Sequence, residues 1–279
     1  VRVPHLNPAV WKFAIADAED GAMIWRNARD GIAAFNMVHR SGVEGWMGPL
    51  AVHPDCQAQG IGKMIVSSGV EWLKKNGAKV IGLETMPRTM DNVGFYSALG
   101  FAPGHLTVTV TLEAARGGLQ AIGMSALSPH ERELAIKQCL NLLEQLAPGY
   151  DYTREIVLTA QHQLGDTLFV RKGNEVQSFA ICHSVPLVEG RATEEMRVLK
   201  MVARNEADFD HLVTQLCAHA RVKGSKRVAV RVQGQYSDVY RRLIARGARV
   251  RWTDLRMSLH DYAEARPENG GIVLSNWEI

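Results

Sequence analysis

The chain has 279 residues, of which 46% are apolar and 22% charged, with a formal net charge of +3. This composition is typical of a globular protein, and the length suggests one large domain or two small ones. There is no apolar run near the roughly 20 residues that span a bilayer and no basic-then-apolar leader, so we expect no membrane partner. The small net charge does not indicate nucleic-acid binding.

The cysteines and histidines give no metal or disulfide pattern. Cys56, Cys139, Cys182 and Cys217 are far apart, and neither C-x-x-C nor H-E-x-x-H occurs. Reduced thiols are the default interpretation of such spacing. We therefore expect no metal site and a cytoplasmic location.

The first half of the chain alternates strands and helices. Pro54 ends a strand that is apolar on both faces, and Gly77 closes an amphipathic helix. The predicted elements are helix 7–20, strands 22–28, 32–39 and 45–52, helix 60–76, strand 79–85, helix 90–99 and strand 106–112.

The second half repeats this order of elements after a glycine-containing linker at 115–127. It comprises helices 128–147 and 153–163, strands 167–171, 177–183 and 196–203, helix 207–222, strand 227–232, helix 237–246, and a last strand or hairpin arm at 250–259. Each half therefore predicts a mixed α/β (α+β) fold, with domains at 1–114 and 128–279.

The segment from Leu50 to Lys63 carries the strongest chemical signal. A strand ends, a loop turns, and Gly60 and Gly62 open a helix. The first turn of a helix has unpaired N–H groups and the positive end of the helix dipole, and glycines let the backbone approach a pyrophosphate. Lys63 adds a cation, so the segment predicts an anion-binding loop.

Two motifs in the first half resemble those of the GNAT N-acetyltransferases. Gln57-Ala58-Gln59-Gly60-Ile61-Gly62 fills that family's acetyl-CoA signature (Q/R)-x-x-G-x-(G/A), and the sequence at 95–101 resembles its closing F-Y-x-x-L-G-F. The resemblance covers roughly residues 22–112 well. It implies two GNAT-like domains, each a mostly antiparallel sheet flanked by helices. It also implies acetyl-CoA as acyl donor.

The resemblance also implies roles for individual residues. Backbone groups of Leu50, Ala51 and Val52 would contact the pantetheine and thioester, and Tyr96 would protonate the departing thiolate. The residues implied in cofactor binding are Leu50, Ala51, Val52, Gln57, Ala58, Gln59, Gly60, Ile61, Gly62, Lys63, Asn92 and Tyr96.

The sequence departs from the family at two positions. Thr89 stands where the family often has a cofactor-contacting Asn, and Asn92 is the candidate substitute. Trp46 stands where some members carry a Glu general base. Glu44, two residues earlier on the same strand face, and Glu84 on the next strand are the remaining candidates, each able to act through a water. Each is equally well explained as a solvated acid at a strand end.

The second half resembles a GNAT domain only in its order of elements. Glu206, Asp208 and Asp210 occupy the start of the helix at 207–222, where they would repel a pyrophosphate. We therefore expect a degenerate domain that packs on the first half and helps to shape the acceptor site without binding CoA. The first domain has only about twenty residues before its first strand, so we expect it to be truncated at the N-terminus.

The predicted activity is transfer of an acetyl group from acetyl-CoA to a primary amine. The alternative is a non-catalytic acyl-CoA-binding or scaffold protein. Eleven Lys or Arg residues and two acids lie between Arg221 and Arg256. A solvated face is the favoured interpretation of this run, and a surface for an acidic partner is the alternative. The sequence does not identify the acceptor or the oligomeric state.

Overall fold

The computed structural model describes residues 5–115 and 122–277, which contain alternating helices and strands. The helices are α1 (Pro8–Ala18), α2 (Ile61–Lys75), α3 (Met90–Ser97), α4 (Pro129–Leu146), α5 (Thr153–Gln161), α6 (Glu206–Val222) and α7 (Ser237–Ala245). The strands are β1 (Ala22–Arg26), β2 (Ile32–Ser41), β3 (Glu44–Val52), β4 (Val80–Thr85), β5 (Phe101–Glu113), β6 (Gly165–Lys172), β7 (Glu175–His183), β8 (Glu195–Ala203), β9 (Arg227–Gln233), β10 (Arg249–Leu259) and β11 (Ile272–Ser275).

The chain divides into two compact units, and neither is one continuous segment. The first unit comprises Ala14–Leu106, Thr253–Ala265 and Trp277. The second unit comprises Arg266–Asn276 and the described residues of Val1–Phe13 and Thr107–Trp252. These units do not coincide with the consecutive domains expected at 1–114 and 128–279. The predicted linker 115–127 lies partly outside the described residues, because 116–121 are not among them.

The two units are discontinuous because strands that are distant in sequence pair with each other. The later part of β10 pairs antiparallel with β4, from Leu255 opposite Thr85 to Ser258 opposite Gly82. In the same way, residues 107–113 of β5 pair antiparallel with β9. Backbone hydrogen bonds therefore join segments that are more than 100 residues apart in sequence.

In the first unit, β1, β2 and β3 form antiparallel neighbours, and β3 pairs with β4 in parallel. Helix α2 covers one face of these strands with Ile65, Val66 and Leu73, all of which are buried. The packing is close, because a Cβ atom on Gly69 would lie 2.7 Å from Met47 Sδ. Helix α2 is consequently fixed against β3, the strand that precedes the glycine-containing loop.

The second unit repeats this plan with an additional strand. Strands β6, β7 and β8 are antiparallel neighbours, and β8 pairs with β9 in parallel. Helix α6 contributes Phe209, Leu212 and Leu216 to the core beneath them. The expected mixed class with mostly antiparallel strands is confirmed in both units.

Three features differ from the sequence-based expectations. Strand β5 begins at Phe101 rather than at 106, and the four-residue strand β11 was not predicted. The basic run between Arg221 and Arg256 is not one solvated face, because Arg231 is 9% exposed and Arg256 only 3%.

All four cysteines are free thiols.

Candidate active site

The parallel strands β3 and β4 separate at their carboxyl ends. Their pairing runs from Glu44 opposite Val80 to Met47 opposite Leu83, although β3 continues to Val52. Residues of β3 beyond Met47 remain paired with β2 on the other side, ending with Ala34 opposite Val52. The edge of β3 that faces β4 is therefore open from residue 48 onwards. We call the gap between the diverging ends of β3 and β4 the wedge. The backbone of Leu50, Ala51 and Val52 lies along it, and the sequence predicted cofactor contacts for these residues.

The loop after β3 is braced by its own side chains. Gln57 Nε2 donates a hydrogen bond to the Val52 carbonyl oxygen at 3.2 Å, and Gln59 Nε2 donates to that of Asp55 at 3.1 Å. Ala58 and Gly60 have φ angles of 57° and 77°, in the left-handed region. The two glutamine side chains thus bond to backbone carbonyl groups of their own segment and hold the shape of the loop.

Helix α2 begins without a capping side chain. Gly60 is its N-cap residue and, among the described residues, no side chain bonds to the first turn. The first helical hydrogen bond runs from Met64 N–H to the Gly60 carbonyl oxygen, at 3.1 Å. No acidic residue occupies the first turn, and Lys63 is exposed there. These N–H groups, the dipole and the lysine together favour an anion.

Tyr96 lies on α3 and is 9% exposed. Its ring contacts Phe95 and Phe101, with centroids 5.1 and 6.2 Å away. Burial raises the pKa of the Tyr96 phenol, so the hydroxyl stays protonated at neutral pH and is able to act as an acid. Asn92, on the same helix, donates from Nδ2 to Thr85 Oγ1 at 3.4 Å, which ties α3 to the end of β4.

The two candidate bases, Glu44 and Glu84, come together around Arg256. Arg256 Nη1 donates to Glu84 Oε1 at 3.3 Å, and Nη2 lies 4.0 Å from Glu44 Oε1. The Glu44 side chain is fully buried and the Glu84 side chain is 4% exposed, so neither is the solvated acid considered from the sequence. Trp277 Nε1 also donates to Glu44 Oε1, at 2.7 Å.

Trp46, at the position of the family's glutamate, stacks on His39 with ring centroids 3.9 Å apart. His39 Nδ1 lies 2.7 Å from Asp17 Oδ2, and both side chains are almost completely buried. Sequence analysis missed this pair and also missed Arg256 and Trp277. An isolated Asp, His, Arg or Trp gives no signal when its partners are distant in sequence.

The corresponding helix start in the second unit is closed to an anion. Asn205 caps α6 by accepting a hydrogen bond from Asp208 N–H at 3.0 Å. Arg242 forms ion pairs with Glu206 and Asp210, and Arg246 lies 3.6 Å from Asp210. The first turn therefore has its own cap and its own charge partners.

Strand β11 also fills the wedge of the second unit. Strand β9 pairs with β8 only at 195–197, and beyond that point β11 pairs with β8 from Ser275 opposite Lys200 to Ile272 opposite Ala203. On the other side of β11, Gln233 Nε2 donates to the Ser275 carbonyl oxygen at 3.0 Å. A protein strand thus lies where the first unit has an open edge.

Residues 5–115 and 122–277 lack the features that a metal site and a membrane-crossing helix require. No group of His, Cys, Asp or Glu side chains there could hold a metal ion. No helix in the same residues is long and apolar enough to cross a membrane.

Three solved structures resemble this chain over most of its length. A candidate acetyltransferase from Pyrococcus horikoshii superposes with a TM-score of 0.66 at 14% identity, covering 96% of this chain and 83% of the other. A tandem GNAT protein from the clavulanic acid biosynthesis pathway gives a TM-score of 0.59 at 10% identity, with coverages of 95% and 91%. A GCN5-related N-acetyltransferase from Sphaerobacter thermophilus gives 0.54 at 12% identity, with 98% of each chain covered. At these low sequence identities the structural similarity shows a shared fold and nothing about shared activity.

The sequence itself matches one family model. The model of the Acetyltransferase (GNAT) family covers residues 3–101, which contain the wedge, the loop and Tyr96. No curated protein has a significant match to the sequence. Residues 3–101 therefore match the GNAT acetyltransferase family model, and the chain has a fold shared with solved GNAT proteins, one of them a tandem protein.

Proposed function

We propose that the first unit binds acetyl-CoA and transfers its acetyl group to a primary amine. The observation that carries this proposal is the uncapped start of α2, which follows the open edge of β3. A pyrophosphate would take the unpaired N–H groups of the first turn, with Lys63 as counter-ion. The backbone of Leu50, Ala51 and Val52 would bind the extended pantetheine along the open strand edge.

The chemistry would be shared between the phenol and one carboxylate. The amine nitrogen forms a bond to the thioester carbon while the carbon–sulfur bond breaks, giving an amide and a CoA thiolate. Tyr96 donates the proton that the thiolate needs, and Glu84 accepts the amine proton through a water. Backbone N–H groups at the open edge of β3 would stabilise the carbonyl oxygen.

Glu84 is the better placed of the two candidate bases. It directly follows Leu83, the last β4 residue paired with β3, and so stands where the wedge opens. Glu44 lies four residues before Gly48 on β3 and is fully enclosed, with Trp277 bonded to its Oε1. We assign Glu44 to holding the site together and Glu84 to proton transfer.

The donor site is tested by replacing Gly60 with Glu. Gly60→Glu places a side chain on a residue with φ 77° and adds a negative charge where the pyrophosphate would bind. We expect calorimetry to show one acetyl-CoA per chain for the unmodified protein, and an affinity at least about 100-fold weaker for the variant.

Gly77→Glu is the matched control. Gly77 follows the other end of α2, has φ 82°, and also has open space around its Cβ position. It thus imposes the same backbone strain and the same added charge away from the loop. Equal acetyl-CoA affinities for Gly60→Glu and Gly77→Glu would refute the assignment of the loop.

The acceptor is tested by measuring release of the free CoA thiol. A panel of peptides, polyamines and aminoglycoside antibiotics supplies primary amines in different settings. Amine-dependent thiol release, with an acetylated product seen by mass spectrometry, supports the proposed reaction.

The alternative is a non-catalytic acyl-CoA-binding or scaffold protein. Trp46 in the place of the family's glutamate and the enclosure of Glu44 favour it. It would give undiminished acetyl-CoA binding with no thiol release from any amine. The buried, protonated Tyr96 favours the enzyme.

A further inference from the structure

The carboxylate assigned to proton transfer is held by a residue from the opposite end of the sequence. Arg256 on β10 stands directly opposite Glu84 on β4 in the strand register, and Nη1 donates to Glu84 Oε1 at 3.3 Å. The same guanidinium has Nε 3.1 Å from Glu264 Oε2. With its side chain 4% exposed, Arg256 is enclosed among these acids and is not a mobile surface cation.

Trp277 holds Arg256 in turn. The guanidinium carbon of Arg256 lies 3.5 Å from the centre of the indole ring, a stacking distance for a cation on an aromatic face. The ring occupies space that only a glycine leaves open, because a Cβ on Gly82 would fall 2.1 Å from Trp277 Cζ3. The indole N–H donates to Glu44, which fixes the orientation of the ring.

These contacts form one chain of support that ends at the wedge. Glu44 orients Trp277, Trp277 supports Arg256, and Arg256 fixes Glu84 beside the point where β3 and β4 part. A carboxylate that must accept a proton within a defined geometry loses rate when its side chain is free to rotate. Every link lies within the first unit.

We propose that Arg256 and Trp277 are positioning residues for the acetyl transfer, holding Glu84 where it accepts the proton of the acceptor amine. This inference rests on the proposed function. The proton passes from the amine through a water to the Glu84 carboxylate and from there to solvent, and neither Arg256 nor Trp277 takes part in the transfer. The guanidinium that pairs with Glu84 also faces Glu44 and Glu264, and Asp254 is buried on the same strand as Arg256.

The test compares two substitutions at Arg256. Arg256→Met removes the charge and the fork of donors, and Arg256→Lys retains the charge. With the best amine of the acceptor panel, we expect Arg256→Met to lower kcat about 100-fold and leave the affinity for acetyl-CoA unchanged. The acidic limb of its pH profile moves to higher pH, because the ionised carboxylate loses its cationic neighbour. Arg256→Lys restores the limb and part of kcat.

Two substitutions at Trp277 distinguish its role in positioning Arg256 from its role in filling the space beside Gly82. Trp277→Phe keeps an aromatic ring that can stack on Arg256 but loses the N–H donated to Glu44 and part of the ring volume, whereas Trp277→Leu also loses the stacking. We expect kcat to fall in the order wild type, Trp277→Phe, Trp277→Leu, with acetyl-CoA affinity preserved. Arg251→Met, at an exposed arginine of the same strand, serves as the control and keeps wild-type kinetics.

A folded Arg256→Met with wild-type kcat and an unchanged acidic limb would overturn the inference. If Arg256→Met does not fold, as judged by its melting and by loss of acetyl-CoA binding, the decision passes to Arg256→Lys and Trp277→Phe. Wild-type pH profiles and kcat in both of those variants would also overturn it. Failure of the unmodified protein to bind acetyl-CoA or release thiol instead refutes the proposed function.

Discussion

The apolar surroundings of Tyr96 keep its phenol un-ionised, which is the state that the proposed proton donor needs. A phenol that donates a proton must be un-ionised at the working pH, and burial against Phe95 and Phe101 disfavours the charged phenolate. The raised pKa means that Tyr96 deprotonates only at strongly alkaline pH. Activity that depends on its proton should therefore persist through the neutral and mildly alkaline range.

The corresponding prediction concerns Tyr96→Phe. Removal of the hydroxyl should lower kcat by about 100-fold, the range expected for a lost general acid, with little change in the KM for acetyl-CoA. Steady-state kinetics with a fixed amine measure this. Tyr240→Phe, at the matching place in the second unit, is the control and should keep full activity. A Tyr96→Phe variant as active as this control would contradict the role of the phenol.

The residues that sequence reasoning did not find share one property. Arg256 and Trp277 meet Glu84 and Glu44 across separations of 172 and 233 residues. Nothing local to an Arg on a strand or to a Trp near the C-terminus reveals such a partner. The loop residues, in contrast, were predicted because strand, glycines and helix follow each other directly.

At the scale of elements, α2 and α6 differ in how their first turns are satisfied. Helix α6 has an asparagine cap and acids that pair with Arg242, so its N-terminal charge is neutralised within the protein. Helix α2 has neither feature. The expected loss of CoA binding in the second unit followed from the acids alone. Strand β11 gives a second reason, because it pairs with β8 where the first unit has an open strand edge. The sequence did not predict it, because its four residues show no periodic pattern.

If β11 is a structural filler of its wedge, its substitutions should affect stability and not donor binding. Leu274 is 3% exposed, and Leu274→Ala should lower the free energy of unfolding by about 2–5 kcal/mol. Leu187→Ala removes the same atoms from a residue 38% exposed and should cost much less. Denaturant unfolding and acetyl-CoA calorimetry measure the two quantities. A loss of acetyl-CoA affinity in Leu274→Ala without a loss of stability would contradict this view.

At the scale of the molecule, each unit draws on both ends of the sequence. In the first unit residues 255–258, within the segment 253–265, pair with the edge of β4, and in the second unit residues 107–113 pair with β9. The repeated order of elements predicted two consecutive domains, and the structure has two compact units that are each discontinuous in sequence. That order could not indicate which strand pairs with which, since the segments on either side of the boundary have equivalent patterns.

A fragment cut at the predicted domain boundary should therefore fail. Residues 1–114 lack β10, so β4 would expose an unpaired edge that includes the buried Leu83. We expect this fragment to be insoluble or to bind no acetyl-CoA, in contrast to the full chain under the same conditions. Soluble expression with unchanged donor affinity would show that residues 253–265 are dispensable.

The interleaved order of segments also has a consequence for synthesis. Leu106 leaves the ribosome about 147 residues before Thr253, an interval of roughly 7–30 s at the usual rates of translation. Throughout that time the edge of β4 stays uncovered, while the residues between Leu106 and Thr253, which supply most of the second unit, emerge one after another. The last portion of the nascent chain would thus determine when the sheet of the first unit is completed, and a ribosome that stalls before β10 would release a chain in which β4 lacks this partner.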